Sequence, residues 1–166
     1  MLHVHRVAGT TSFIQLIDEI EKKTQNHADI RQKISIQLFE RGDMAGPGFP
    51  FHPEKQHSSA WTLNTRNATM SLFHPEKNQN DFCDWLDENK QRLIDKYQDQ
   101  TLTLNLQNSL YAPRKIFGEY CRARFEEYKR KAERLGIQVT LALETEVVNA
   151  NLNHLGEWVL HTKSPK

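Results

Sequence analysis

Cysteine is scarce in this chain. Cys83 and Cys121 are the only two among 166 residues, and neither sits in a Cys-x-x-Cys spacing. That pattern excludes a disulfide framework or a structural zinc site and predicts reduced thiols. An excess of one charge is missing too. Lys plus Arg is 22 and Asp plus Glu is 21, a net of +1, so the chain lacks the basic field on which non-specific nucleic-acid binding depends. No apolar run approaches the ~20 residues of a membrane span, and no hydrophobic leader follows Met1. These absences predict a soluble, cytoplasmic chain with neither nucleic acid nor membrane as a partner. The oligomeric state is left open. His52, His57 and His74 lie near Glu54 and Glu76, but the spacing matches no metal-ligand set. They read as solvated loop histidines, and no metal site is expected.

The length suits one domain. Leu2 to Ala8 reads as a short strand broken at Gly9-Thr10-Thr11-Ser12. Phe13, Ile14, Ile17 and Ile20 then recur at helical spacing, with a hydroxyl from Thr10, Thr11 or Ser12 available as the N-cap. Thr24 to Lys33 is polar and reads as a loop. Ile34 to Glu40 is a β-branched strand with an acidic end. Strand, helix, strand is the pattern of a parallel βαβ unit. Arg41 to Thr69 is a long irregular stretch rich in Gly and Pro, of the kind that is either functional or disordered. A helix starting near Asn78 or Asn80 buries Phe82, Trp85, Leu86, Leu93 and Tyr97. Gln98 to Tyr111, with alternating Leu102, Leu104 and Leu106, reads as a short strand or a loop. Pro113 opens another helix whose stripe is Phe117, Cys121, Phe125, Tyr128, Ala132 and Leu135, ending at Gly136. Segments 138–141, 144–149 and 157–162 read as strands. The pentapeptide Phe-His-Pro-Glu-Lys occurs at 51–55 and again at 73–77, too short a match to indicate duplication.

Chemistry is first suggested at Gly9. A parallel strand running into a helix aims backbone N–H groups at the crevice beyond the strand ends, where they bind phosphate, and a glycine lets the ligand approach closely. The carboxylate of Glu40, at the end of the next strand, is placed to accept hydrogen bonds from a ribose. On these residues alone an ordinary helix end and a solvated carboxylate explain the pattern as well. Other constellations read as structure. Cys121 falls on an apolar helical stripe and is a core thiol, and Cys83 flanks Phe82. Asp81, Asp84, Asp87 and Glu88 form an acidic helix start that suits the helix dipole. The eight basic residues of 114–134 are interleaved with four acidic ones, the pattern of a solvated helix face.

Further along, an ordered series appears. Ala45-Gly46-Pro47-Gly48-Phe49-Pro50-Phe51 is followed by Leu63-Asn64 and Ala68-Thr69-Met70-Ser71-Leu72-Phe73. Next come Asp81-Phe82-Cys83-Asp84-Trp85-Leu86 and Ala112-Pro113-Arg114-Lys115-Ile116-Phe117-Gly118-Glu119-Tyr120. In order and spacing the series resembles the FAD-NAD(P)-binding family of flavoprotein oxidoreductases, over roughly residues 4–150. The resemblance implies an α/β fold: a partial Rossmann-like parallel sheet with helices inserted at about 78–135 and a C-terminal antiparallel β meander. It also implies cofactor-binding positions. Gly9, Thr10, Thr11 and Ser12 would face the pyrophosphate, and Glu40 the adenosine ribose. Gly46 and Gly48 would shape the loop beside the flavin, Leu63, Asn64, Met70 and Ser71 would line the cleft, Arg114 would supply a cation, and Val147 would contact adenine through its backbone.

Two departures accompany the resemblance. Val7 stands where the first fingerprint glycine belongs, and His3, His5 and Arg6 interrupt a strand that is normally apolar throughout. The chain also stops at Lys166, before the second dinucleotide region of longer relatives. The expectation is one incomplete FAD/NAD(P)-binding domain over 1–166, the N-terminal fragment of a larger flavoprotein. Alone it would be inactive, with FAD bound weakly or lost and NAD(P) bound only in a longer relative. The alternative is a non-catalytic remnant or protein-interaction module that keeps the fold. No residue is assigned as a catalytic acid, base or nucleophile.

Overall fold

The structure, a computed structural model, describes residues 2–5, 9–55 and 58–164. Arg6, Val7 and Ala8 lie outside the described residues, as does His57. Three parallel strands form the sheet: β1 (Leu2–His5), β2 (Ser35–Phe39) and β3 (Gln138–Ala142), in the order β1-β2-β3. Leu2 pairs with Ile36, and Ile36 with Val139. His5 pairs with Phe39, and Phe39 with Ala142, so the three carboxyl ends finish level along one edge.

Helix α1 (Gly9–Lys23) connects β1 toward β2 and buries Phe13, Ile14 and Ile17. Lys22 and Lys23 close its last turn, where cations suit the dipole. The expected capping trio Thr10, Thr11 and Ser12 lies inside the first turn rather than ahead of it. The polar 24–33 stretch is not wholly loop, because a single helical turn, α2 (Ala28–Arg31), sits within it.

The return from β2 to β3 is long. It contains α3 (Pro75–Asn78), α4 (Asp81–Tyr97), α5 (Gln100–Asn108) and α6 (Arg114–Arg134). Segment 98–111 is mostly helix, not strand or loop. Asp99 caps α5 by accepting from the Leu102 amide at 3.1 Å, and Leu102 and Leu106, four residues apart, are buried while Leu104 is exposed. Leucine at every second position satisfies both periods, and the cap decides for helix. The irregular 41–69 stretch is ordered through its described parts by two 3₁₀ turns, Phe49–Phe51 and Asn67–Thr69.

One hydrophobic core runs from α1 and β2 to α4, α5 and α6. Its sheet end joins Phe13 to Phe125 at a ring separation of 5.4 Å. Its helical end is an aromatic cluster in which Phe82, Trp85, Phe117 and Tyr120 meet at 5.1–6.4 Å. Such edge and tilted contacts add to the area they bury. Trp61 and Trp158, by contrast, are exposed. The stripe read on α6 is confirmed from Phe117 to Ala132, and Gly136 ends the helix at φ +80°.

The C-terminal antiparallel element is present as a hairpin, β4 (Glu146–Leu152) with β5 (Trp158–Lys163). The strand read before it, 138–141, pairs parallel with β2 instead. Two hydrogen bonds make that step: the Glu144 amide donates to the Gly42 carbonyl and the Thr145 amide to the Glu40 carbonyl, both at 2.9 Å. They bind the turn after β3 to the turn after β2.

Candidate functional site

The level carboxyl ends of the strands meet the amino end of α1, and a pocket lies there. Gly9, Thr10 and Phe13 of α1 line it, with Leu38, Phe39 and Glu40 at the end of β2, Ala45 and Gly46 of the Gly-Pro-Gly loop, Phe125 of α6 and Leu141 of β3. Four predicted site residues, Gly9, Thr10, Glu40 and Gly46, are therefore brought together although they span 38 positions of sequence from first to last.

Each wall has a local cause. Among the described residues, and leaving aside its chain neighbours and its own helix backbone, no atom lies within 4 Å of the position a Gly9 Cβ would take. The first turn of α1 carries no acidic residue that would occupy its N–H groups from within the helix. Glu40 is half-buried, and its Oε1 accepts from the Gly42 amide at 2.6 Å. That bond fixes the carboxylate at the strand tip and occupies one of its oxygens. Gly46 has φ +107°, and a Cβ there would stand 2.8 Å from the Arg122 Cα. Only glycine fits both the left-handed backbone and that approach.

The loop is pinned a second time farther along. A Cβ on Gly118 would lie 1.7 Å from the Phe51 carbonyl oxygen, so the loop backbone rests directly on α6. Glycine inside a helix costs about 1 kcal/mol relative to alanine. The close approach explains why it sits in the Pro-Arg-x-x-x-Gly-Glu-Tyr segment. His52, read as solvated, is instead buried: its Nε2 faces Asp43 Oδ1 at 3.0 Å, while its Nδ1 accepts from the amides of Glu54 and Lys55. With Nδ1 accepting, Nε2 carries the proton and donates to Asp43. His74, the matching histidine of the second pentapeptide, likewise accepts from the amide two residues on. The repeated pentapeptide is thus a local turn motif. Among the described residues no group of three or more His, Cys, Asp or Glu could hold a metal ion.

The other predicted positions sit elsewhere. Leu63 and Asn64 form a cluster with Arg114: the Leu63 amide donates to Ala112 at 2.9 Å, and the Arg114 guanidinium donates to the Thr62 carbonyl and to Asn64 Oδ1, each at 3.2 Å. Met70 and Ser71 follow the second 3₁₀ turn, where Ser71 Oγ donates to the Asn78 carbonyl at 2.7 Å. Thr11 and Ser12 face outward from α1, half-buried and exposed respectively. Gly48 precedes the first 3₁₀ turn with an extended backbone, φ −76°. Val147 is in β4, paired with Thr162, and does not line the pocket.

Reading the sequence missed the polar network that holds α4 to α6. Asp81, 4% exposed, accepts from Tyr120 Oη at 2.6 Å and from Arg124 at 2.9 and 2.7 Å, while the Leu72 amide donates to Tyr120 Oη at 3.0 Å. Burial, then the bond to Asp81, pushes the Tyr120 hydroxyl well above its usual range. On α6, Glu119 is buried and accepts from Lys96 and from Tyr97 Oη. Burial raises this carboxyl, but the bonds from Lys96 and Tyr97 outweigh it and hold the group below its ordinary value. Burial also pushes the Cys121 thiol up to about 12, as suits an inert core cysteine. The forewarning in the sequence was an acidic residue opening α4 and the pair Tyr120 and Arg124, four positions apart and so on one face of α6.

A level row of parallel strand ends, a helix mouth free of acid, an acidic strand tip and a glycine loop together define an α/β protein arranged for a nucleotide at its strand ends. Residues 7–166 match the FAD-NAD(P)-binding family, and the chain belongs to it as a dinucleotide-binding domain. None of the curated proteins matches the chain. No helix among the described residues is long and apolar enough to cross a membrane.

Proposed function

We propose that this domain holds the ADP half of a flavin or nicotinamide dinucleotide in the Gly9–Glu40 crevice, as the cofactor-binding part of an oxidoreductase. The observation that carries the reading is the convergence of Gly9, Glu40 and Gly46 on one pocket at the strand ends. The N–H groups at the mouth of α1 bind the pyrophosphate, with Gly9 admitting it and Thr11 and Ser12 nearby. The Glu40 oxygen left over from Gly42 accepts from the ribose. Gly46 and Gly48 set the loop on the flavin side. Leu63, Asn64, Met70, Ser71 and Arg114, which sit outside this pocket, are assigned to the part of the cofactor that extends beyond it, and the Val147 backbone, also outside it, to the edge of the adenine. A flavin, when bound, supplies the hydride chemistry, and the protein binds and orients it.

FAD is the cofactor proposed, held weakly by residues 1–166 alone, because Val7 replaces a glycine that would admit the pyrophosphate. Calorimetric titration with FAD, NADP and ADP tests this. ADP binding together with a FAD Kd weaker than ~1 μM is expected. Failure of ADP and FAD to bind at millimolar concentration would overturn the dinucleotide reading, and tighter FAD binding would overturn the weakness.

The second reading, a module that keeps the fold to bind another protein, is favoured by the hairpin. Leu152, Leu155 and Trp158 are each more than half exposed there.

A further inference from the structure

The side chain of Thr10, one of the predicted pyrophosphate contacts, is already engaged. It is 6% exposed, and its Oγ1 donates to the Gly46 carbonyl at 2.8 Å, across 36 positions of sequence. A hydroxyl has a single proton to donate, so this one serves the loop and not a phosphate. On its other side the same glycine meets α6, where the Arg122 backbone leaves no room for a Cβ. Gly46 is therefore clamped between the first turn of α1 and the middle of α6, at the wall of the pocket that both Thr10 and Gly46 line.

We infer that Thr10 is a positioning residue of the crevice: acting through Gly46, it fixes the Ala45–Gly48 loop at the mouth of α1 before a nucleotide arrives. The inference rests on the dinucleotide reading and gives one of its residues a different task. A loop already in place spares the ligand the entropy of ordering it, and the gain appears as affinity. A net hydrogen bond of ordinary strength corresponds to about tenfold in binding.

The test compares the full chain with Thr10→Val, which keeps shape and loses the proton, and with Thr10→Ser, which keeps the proton. ADP affinity is measured by calorimetry, and hydrogen exchange is followed over residues 41–55. Thr10→Val is expected to bind ADP about tenfold more weakly, with faster exchange through the loop. Thr10→Ser is expected to restore both. Should the valine variant not fold, Thr10→Ala against Thr10→Ser makes the same comparison. Unchanged ADP affinity and loop protection in Thr10→Val would overturn the role of Thr10 while leaving the dinucleotide reading in place. Equal losses in the valine and serine variants would also overturn it, since a variant that keeps the hydroxyl would then fare no better than one that lacks it. If the unaltered chain does not bind ADP, the dinucleotide reading falls and this role falls with it.

Discussion

At the crevice, Gly9, Glu40 and Gly46 are placed by backbone approach, one buried hydroxyl and one carboxylate–amide bond. In the helical body, α4 and α6 are joined by four large aromatic rings and a buried carboxylate shared between a tyrosine and an arginine. The first region is economical in contacts and leaves a pocket open at the strand ends. The second fills its space and fixes its geometry. The two meet in α6, where Phe125 walls the pocket and Gly118 carries the loop. A rigid helical strut thereby sets the position of the loop, which is how a site can be both open and preorganised.

The comparison predicts unequal costs. Gly118→Ala, at the junction of the two regions, should be worst, because the new methyl meets main chain and not a flexible side chain. A loss of about 4 kcal/mol in urea unfolding is expected. A loss under about 1 kcal/mol would mean that the loop is free to lift, which would break the contrast. Asp81→Ala comes next, at about 3 kcal/mol, since it leaves Arg124 partly buried without its carboxylate. Asp81→Asn should recover part of this while keeping a partner for Tyr120.

Acid should act on the helical region through two carboxylates, with the smallest effect of the three. Burial raises Asp18, but hydrogen bonds from Lys131 and Lys77 outweigh it and hold the group below its ordinary 3.8; Glu119 lies below 4.5 by the same balance. A carboxyl whose folded pKa is depressed contributes stability above its unfolded value and loses it as pH falls through the folded one. The urea midpoint should therefore hold from neutrality down to about pH 5 and fall below 4. Replacing Glu119 by Gln should flatten that fall. A midpoint that is insensitive between pH 6 and 3 would remove these two carboxylates from the account.

What could be read in advance divides along the same line. The strand at Leu2–His5, the helix from Gly9 and the acidic end of β2 are local, and hydrophobic periodicity with one glycine was enough to place them. The stripes of α1, α4 and α6 were legible for the same reason, because 3.6-residue spacing survives without knowledge of neighbours. The union of Asp81 with Tyr120 and Arg124 was not, since a partner about 40 positions away leaves no periodic trace. Asp81 therefore passed for a helix-dipole residue. His52 looked solvated because its neighbours are prolines and charges, and only the fold shows it turned inward to Asp43. Helix α5 was misread because leucine at every second position serves two periods at once. The pairing of 138–142 with β2 was hidden by the strands that follow it, which suggested a separate antiparallel unit.

The three tryptophans divide in the same way, and this has a practical consequence. Trp85 is 4% exposed inside the aromatic cluster, whereas Trp61 and Trp158 are 58% and 61% exposed. The fluorescence of the intact chain should thus contain a blue component from one dry indole and a red component from two wet ones. Iodide can reach only the latter. Quenching them leaves a spectroscopic window on the α4–α6 junction alone, so its melting can be followed separately from events at the chain's periphery without introducing a label.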